Sequence, residues 1–233
     1  MTKENTEILK KRAAEKAVEY VKSGMILGLG TGSTVRYALL KLAELIKSGE
    51  LKDILGIPTS EQTRAKAETL GIPLTDFEHH QTIDLTIDGA DEVDENLNLI
   101  KGGGGALLRE KIVAQASKKR IYIVDKTKLS QKLGKKWSVP IEVIKFSYKA
   151  EEKYLQSIGG KPKLRVLENG EPFITDENNF ILDTNFGIIE QPFELARKLD
   201  ARAGIVEHGL FLDMTDMLIV ADENGIVIKN RNK

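Results

Sequence analysis

Apolar and polar positions along the 233-residue chain switch repeatedly between a helical and a strand period. Residues 6 to 22 place Ile8, Ala13, Ala14, Ala17, Val18 and Val21 at helical spacing, and Ser23-Gly24 is a stop signal. The apolar run Met25–Leu29 then predicts a strand that feeds directly into Gly30-Thr31-Gly32-Ser33. The same reading predicts helix over 35–46, strand over 54–58, helix over 60–70 with Ser60 as N-cap, strand over 83–87, helix over 106–117 and strand over 120–124. Strands alternating with helices of this length imply a mostly parallel sheet covered on both faces.

From about Trp137 the pattern changes. Strand is predicted over 139–145, helix over 149–157, strands over 163–168 and 179–183, helix over 192–200 and strand over 204–208. That βαββαβ order is the ferredoxin-like arrangement. Pro192 suits a helix start and Gly204 a position beyond its end. Residues 210–212, 217–221 and 226–229 are expected as closing strands, with a hairpin turn at Glu223-Asn224-Gly225. The expected fold is therefore α/β. A Rossmann-like, mostly parallel sheet domain takes 1–133 plus 208–233, and an inserted ferredoxin-like α+β subdomain takes 134–207.

Composition narrows the function classes. With 35 Lys+Arg against 35 Asp+Glu the net charge is zero, which argues against a generally basic nucleic-acid coat. There is no cysteine, so disulfides, thiolate catalysis and Cys-ligated metal are excluded, and a reducing cytoplasm is the natural setting. The charged amino-terminal segment lacks the apolar stretch of a signal peptide, and no window resembles a membrane span. The charge is nonetheless uneven. Residues 76–96 hold eight acids and no Lys or Arg, whereas residues 100–136 hold eleven Lys+Arg and two acids.

Four segments carry candidate chemistry. Gly28-Leu29-Gly30-Thr31-Gly32-Ser33-Thr34 joins a strand to a helix, where helix N-terminal amides and the hydroxyls of Thr31, Ser33 and Thr34 suit a phosphate or carboxylate. A tight turn that binds nothing is the simpler alternative. The dinucleotide fingerprint fits poorly, because Ser33 replaces its third glycine and the second strand ends in Ile57-Pro58-Thr59 without an acid. Asp88-Gly89-Ala90-Asp91-Glu92 places three acids at the carboxyl end of a strand, where α/β proteins form their ligand crevice. They suit acid–base work on hydroxyls or a divalent metal, or else form a solvated loop. Lys101-Gly102-Gly103-Gly104-Gly105 is the most unusual stretch, for four glycines let backbone amides approach an anion closely, although a hinge would also use them. Glu110 follows one turn into the next helix. Asp125-Lys126-Thr127-Lys128 lies at another strand end and offers a lysine. Adjacent His79 and His80 lack metal-ligand spacing, and Trp137 with the five tyrosines forms no stacking series for nucleic acid.

Taken together, GLGTGSTV, TIDGADEV, KGGGGALLREK and VDKTK resemble ribose-5-phosphate isomerase of the A type, in order and spacing, over essentially the whole chain. The resemblance implies interconversion of D-ribose 5-phosphate and D-ribulose 5-phosphate through a cis-enediolate. It implies no metal or organic cofactor and a homodimer, while composition points to no nucleic-acid partner, no membrane association and a cytoplasmic setting. By the same resemblance Glu110 is the base, and Lys101 with the amides of Gly102, Gly103 and Gly104 stabilises the enediolate. Asp88, Gly89, Ala90 and Asp91 contact the sugar, Asp88 and Asp91 assisting ring opening. Thr31, Gly32, Ser33, Thr34 and Lys128 bind near the phosphate, with Lys10 a weaker candidate. A non-catalytic sugar-phosphate sensor and a dinucleotide-dependent oxidoreductase are the competing readings. The first would need a DNA-binding or partner domain, for which the residues before the first strand leave no room.

Overall fold

A computed structural model describes residues 3–231. In chain order the elements are α1 (Lys3–Val18), β1 (Ile26–Leu29), α2 (Val35–Ser48), β2 (Leu55–Pro58), α3 (Glu61–Thr69), β3 (Leu85–Gly89), β4 (Glu92–Val93), β5 (Leu99–Ile100) and α4 (Leu107–Gln115). There follow β6 (Arg120–Asp125), β7 (Val139–Val143), α5 (Tyr148–Ser157), β8 (Lys161–Leu164), β9 (Phe180–Asn185), α6 (Pro192–Asp200), β10 (Ile205–His208), β11 (Leu210–Phe211), β12 (Met217–Asp222) and β13 (Gly225–Asn230). The chain divides into two compact units. One comprises the described residues up to Ala90, Arg109–Lys128 and those from Met214 onward; the other comprises Asp91–Leu108 and Leu129–Asp213.

The first unit is built on a six-stranded sheet of order β13-β12-β6-β3-β1-β2, parallel except for β13. Alternation along the strands sends Leu27, Leu85, Ile121 and Ile219 to one face, where they pack with Ala13 and Ala17 of α1 and Leu39 and Leu42 of α2. The other face packs Ile57 and Ile83 against Val113 of α4. Gly204 does not cap α6, whose C-cap is Ala201, and its backbone is not left-handed; two other local signals stand where expected. Ser60 caps α3 by accepting the Thr63 N–H at 3.0 Å. Asp222 closes the β12–β13 hairpin by accepting the Asn224 and Gly225 N–H groups at 2.8 and 2.9 Å. Because β1, β3 and β6 are parallel, their carboxyl ends share one edge of the sheet.

The second unit contains the βαββαβ motif from Val139 to His208. Its antiparallel sheet has the order β10-β7-β9-β8, the ferredoxin-like order, and packs Val139, Ile141 and Val143 with Leu155 of α5 and Leu199 of α6. The compact unit is larger than the motif. Ile100 and Leu210 join the same core, and the Lys101 N–H donates to the Gly209 carbonyl at 2.9 Å, which ties residues 91–108 to it. One expectation needs correction. Leu210–Phe211 does not close the main sheet but pairs with β5 in a separate three-stranded sheet of order β11-β5-β4. Two-residue strands carry no readable period, so their pairing is decided by tertiary packing.

The side chains of Thr86 on β3 and Val113 on α4 fill the space beside position 28, so that only glycine fits there. A Cβ there would lie 1.9 Å from Thr86 Oγ1 and 2.6 Å from Val113 Cγ1. Gly28→Ala is expected to destabilise the protein by about 1–3 kcal/mol through overpacking, read as a lower urea midpoint; an unchanged midpoint would contradict this packing.

Candidate active site

Asp88 ends β3 as a buried carboxylate, only 1% exposed. Its Oδ1 accepts the Gly89 N–H at 2.7 Å and the Thr31 N–H at 3.1 Å, so the end of β3 and the turn after β1 are hydrogen-bonded into one piece. Gly30 makes this possible. A Cβ at Gly30 would stand 2.2 Å from Asp88 Oδ1. The turn continues through Gly32, whose φ of +122° a side chain would resist, into Ser33, which is exposed, and Thr34, which precedes α2. No side chain caps α2 and no acid occupies its first turn, while the Arg36 and Tyr37 N–H groups donate to the Gly32 and Thr34 carbonyls at 3.2 and 3.1 Å. A cleft of about 580 Å³ opens there, lined by Gly32, Ser33, Arg36, Gln62, Thr63 and Lys66 among others.

Thr31 does something other than present its hydroxyl. Its Oγ1 lies 2.7 Å from Thr59 Oγ1, 2.8 Å from Ser60 Oγ and 3.0 Å from Thr63 Oγ1, inside a buried hydroxyl cluster that anchors the start of α3. Sequence reasoning missed this cluster because its members meet only in the folded sheet. Glu110 is buried in the first turn of α4, 5% exposed. Its neighbour Arg109 reaches Glu61 at 2.6 Å and holds that carboxyl below its ordinary range, which pins α4 to the start of α3. Lys128 is half-buried in the 3₁₀ turn after β6, where Asp125 Oδ1 accepts the Thr127 N–H at 2.9 Å. Lys10 is engaged by Glu7 at 2.7 Å.

In the second unit, Lys101 follows β5 and is buried, its Nζ 5.5 Å from the Phe211 ring centroid. Gly102 has φ +91°, and a Cβ there would meet Leu107 Cβ at 2.6 Å. Of the three amides expected to face an anion, that of Gly103 already donates to Asp91 Oδ2 at 2.7 Å. Gly104 is exposed. Glu92, third acid of the Asp88–Glu92 segment, is buried and accepts the backbone N–H groups of Gly134, Lys136 and Trp137 at 2.9, 3.0 and 3.2 Å, a structural task. Arg165, which carried no local signal, donates to the carbonyls of Gly102 and Gly103.

The histidines serve structure. His79 Nδ1 pairs with Asp76 at 2.7 Å, and His80 Nδ1 with Thr75 Oγ1 at 2.9 Å. Among the described residues Asp200, Glu207 and His208 converge as a group with metal-ligand atoms. His208 Nδ1, however, accepts the Leu210 N–H at 3.2 Å, so Nε2 carries the proton and shares it with Asp200 Oδ1 at 3.1 Å. Among the described residues no helix is long and apolar enough to cross a membrane.

The family model described as ribose 5-phosphate isomerase A (phosphoriboisomerase A) matches residues 55–225. This chain belongs to that family. Ribose-5-phosphate isomerase A of Desulfatibacillum aliphaticivorans is 56% identical over 218 residues, covering 94% of this chain and 95% of the relative. A solved D-ribose-5-phosphate isomerase in complex with phospho-erythronic acid is 41% identical, with a TM-score of 0.95 over 97% of this chain and 100% of that one. The ribose 5-phosphate isomerase structure from Plasmodium falciparum is 46% identical, with a TM-score of 0.94 over the same shares. Likeness to the family thus extends through both compact units.

The hydroxyl cluster separates a structural role for Thr31 from a ligand-binding one. Thr31→Val leaves Thr59, Ser60 and Thr63 short of a partner and is expected to cost about 1–3 kcal/mol of stability. Thermal and urea unfolding check it; full stability with a raised substrate KM would instead make the hydroxyl a ligand donor.

Proposed function

We propose that this protein interconverts D-ribose 5-phosphate and D-ribulose 5-phosphate, an aldose–ketose isomerisation of the non-oxidative pentose phosphate pathway. The observation that carries the reading is Glu110, a carboxylate buried in the first helical turn after the glycine run, in a chain of this family. A C–H beside a carbonyl is a weak acid. Its removal needs an aligned base and a place for negative charge to rest on oxygen.

In this reading Glu110 removes the proton from C2 of the open-chain aldose. The C–H electron pair becomes the C1–C2 double bond, and charge moves onto O1 as the cis-enediolate. Return of the same proton to C1, with a hydroxyl proton passing from O2 to O1, yields the ketose. A single carboxylate suffices when C1 and C2 present the same side to it. Lys101 and the amides of Gly102 and Gly104 hold the developing oxyanion, that of Gly103 being engaged by Asp91. Asp88 and Asp91 engage sugar hydroxyls and assist opening of the furanose, which has no carbonyl to enolise.

The phosphate falls to the start of α2. The lack of a side-chain cap or acid there, exposed Ser33 and half-buried Thr34 support that role, with Lys128 supplying charge, while Thr31 orders the turn. We extend the proposal to a cytoplasmic homodimer that needs no metal. The cysteine-free composition supports the compartment, and the resemblance supports the dimer.

Ketose formation on adding ribose 5-phosphate to EDTA-treated protein tests the activity. Glu110→Gln is expected to keep sugar-phosphate binding while kcat falls about 10²–10⁴-fold, the contribution of a placed general base. Near-normal turnover in that variant would remove Glu110 from the chemistry. Lys101→Ala is expected to lower kcat about 10²–10³-fold with a smaller change in KM, as for a contact that strengthens in the transition state. A KM effect alone would make Lys101 a binding residue.

A further inference from the structure

A run of four glycines has little reason of its own to hold one conformation, since glycine has the most backbone freedom to lose. Arg165, immediately after β8, supplies a restraint. One guanidinium nitrogen, Nη1, donates to the carbonyl oxygens of both Gly102 and Gly103, each at 3.1 Å. The opposite side of the same guanidinium forms a two-point pair with Asp183 on β9, Nε to Oδ2 at 2.8 Å and Nη2 to Oδ1 at 2.5 Å. Its Cζ also lies 5.7 Å from the Phe173 ring centroid, and its backbone pairs with Ile181 and Phe173. The side chain is 15% exposed. All five donors of arginine are fixed in a plane, so a guanidinium held on one edge presents the other edge in a set direction.

That direction determines where two amides point. The peptide units are trans, so each N–H is opposed to the carbonyl of the preceding residue. With the Gly102 carbonyl turned to Arg165, the Gly103 N–H points away from it and meets Asp91 Oδ2 at 2.7 Å. With the Gly103 carbonyl also turned to Arg165, the Gly104 N–H is directed away in the same manner, and Gly104 is exposed. A cation on the carbonyl oxygen polarises the amide and makes its N–H a stronger donor.

We infer that Arg165, braced by Asp183, is a positioning residue for the isomerisation: it sets the two peptide planes that aim the Gly104 amide at substrate oxygen and hold Asp91 in register. The inference rests on the proposed isomerase activity. Arg165 itself touches no reacting atom.

Steady-state kinetics of Arg165→Lys, Arg165→Ala and Asp183→Asn, with wild type alongside, test it. A lysine is one point donor and cannot serve both glycine carbonyls while bridging both Asp183 oxygens. For Arg165→Lys we expect kcat to fall about 10- to 100-fold, in keeping with small misplacements of catalytic groups, while KM for ribose 5-phosphate stays within about 3-fold. Affinity for 4-phosphoerythronate, a mimic of the enediolate, should fall in parallel with kcat/KM, and millimolar guanidinium should restore part of the activity of Arg165→Ala. Asp183→Asn should show the same split to a smaller degree. If Arg165→Ala fails to fold, Arg165→Lys and Asp183→Asn decide the matter. A folded Arg165→Lys with wild-type kcat and wild-type analogue affinity would overturn the inference, as would a loss that merely tracks the folded fraction. Wild-type protein that makes no ketose would overturn the isomerase reading instead, so the two failures are distinct.

Discussion

A buried carboxyl group has lost its water and must find hydrogen-bond donors inside the protein, and Asp88 finds them in backbone amides. Much of the first unit follows from this. The amides come from Thr31 and Gly89, so the loop after β1 is drawn onto the end of β3. The carboxylate then fills the space beside Gly30, where any side chain would collide with it. With its amide directed to Asp88, Thr31 places its hydroxyl among Thr59, Ser60 and Thr63, which locates the start of α3. Glu61 follows in that first turn and receives Arg109, the residue next to Glu110. One acid, through a sequence of short contacts, thereby orders three connections at the carboxyl edge of the sheet.

The second unit solves a related problem with the charges reversed in part. Fixing a backbone residue costs roughly 1–2 kcal/mol, and glycines sit at the unfavourable end. A run of them becomes well defined only when its amides and carbonyls each have a partner. Here the carbonyls go to a guanidinium and one amide goes to a carboxylate, while the Gly105 N–H closes a turn on the Gly102 carbonyl at 2.9 Å. Gly103 must be glycine for the Asp91 contact, since a Cβ would come within 2.7 Å of its Oδ1. The glycine run is therefore a shaped surface and not a hinge.

Features encoded within a few residues were legible in the sequence. The turn from β1 to α2, the Ser60 cap, Pro192 at the start of α6 and the hairpin at 223–225 each rest on local backbone chemistry, and each stands where its residues predict. The ferredoxin-like order was legible from the succession of elements. What escaped depends on distant partners. Arg165 lies more than sixty residues from the glycines it holds, and nothing around it distinguishes it from a surface arginine on an edge strand. Glu92 reads as one more acid beside Asp88 and Asp91, yet it is buried under three backbone amides from 134–137. Strands β4, β5 and β11 are too short to carry a period.

The two opposed charge blocks invite an electrostatic account that the contacts do not support. Within the acidic block, Asp76 is paired with His79 and Asp84 with Lys118, while Asp94 accepts the N–H groups of Asn96 and Asn98. Within the basic block, Arg109, Arg120, Lys126 and Lys132 are paired with Glu61, Asp216, Glu223 and Glu190. Such pairs are mostly exposed, and each offsets only the charges it joins, in a molecule whose net charge is already zero. A dianionic ligand meeting this protein therefore encounters little long-range attraction from its bulk charge. In the proposed reading, selection falls to directed groups: the turn that leads into α2, a few lysines, and peptide planes held by Asp88 and Arg165. Their effect is short-ranged and orientational, so it discriminates by where the ligand's oxygens lie.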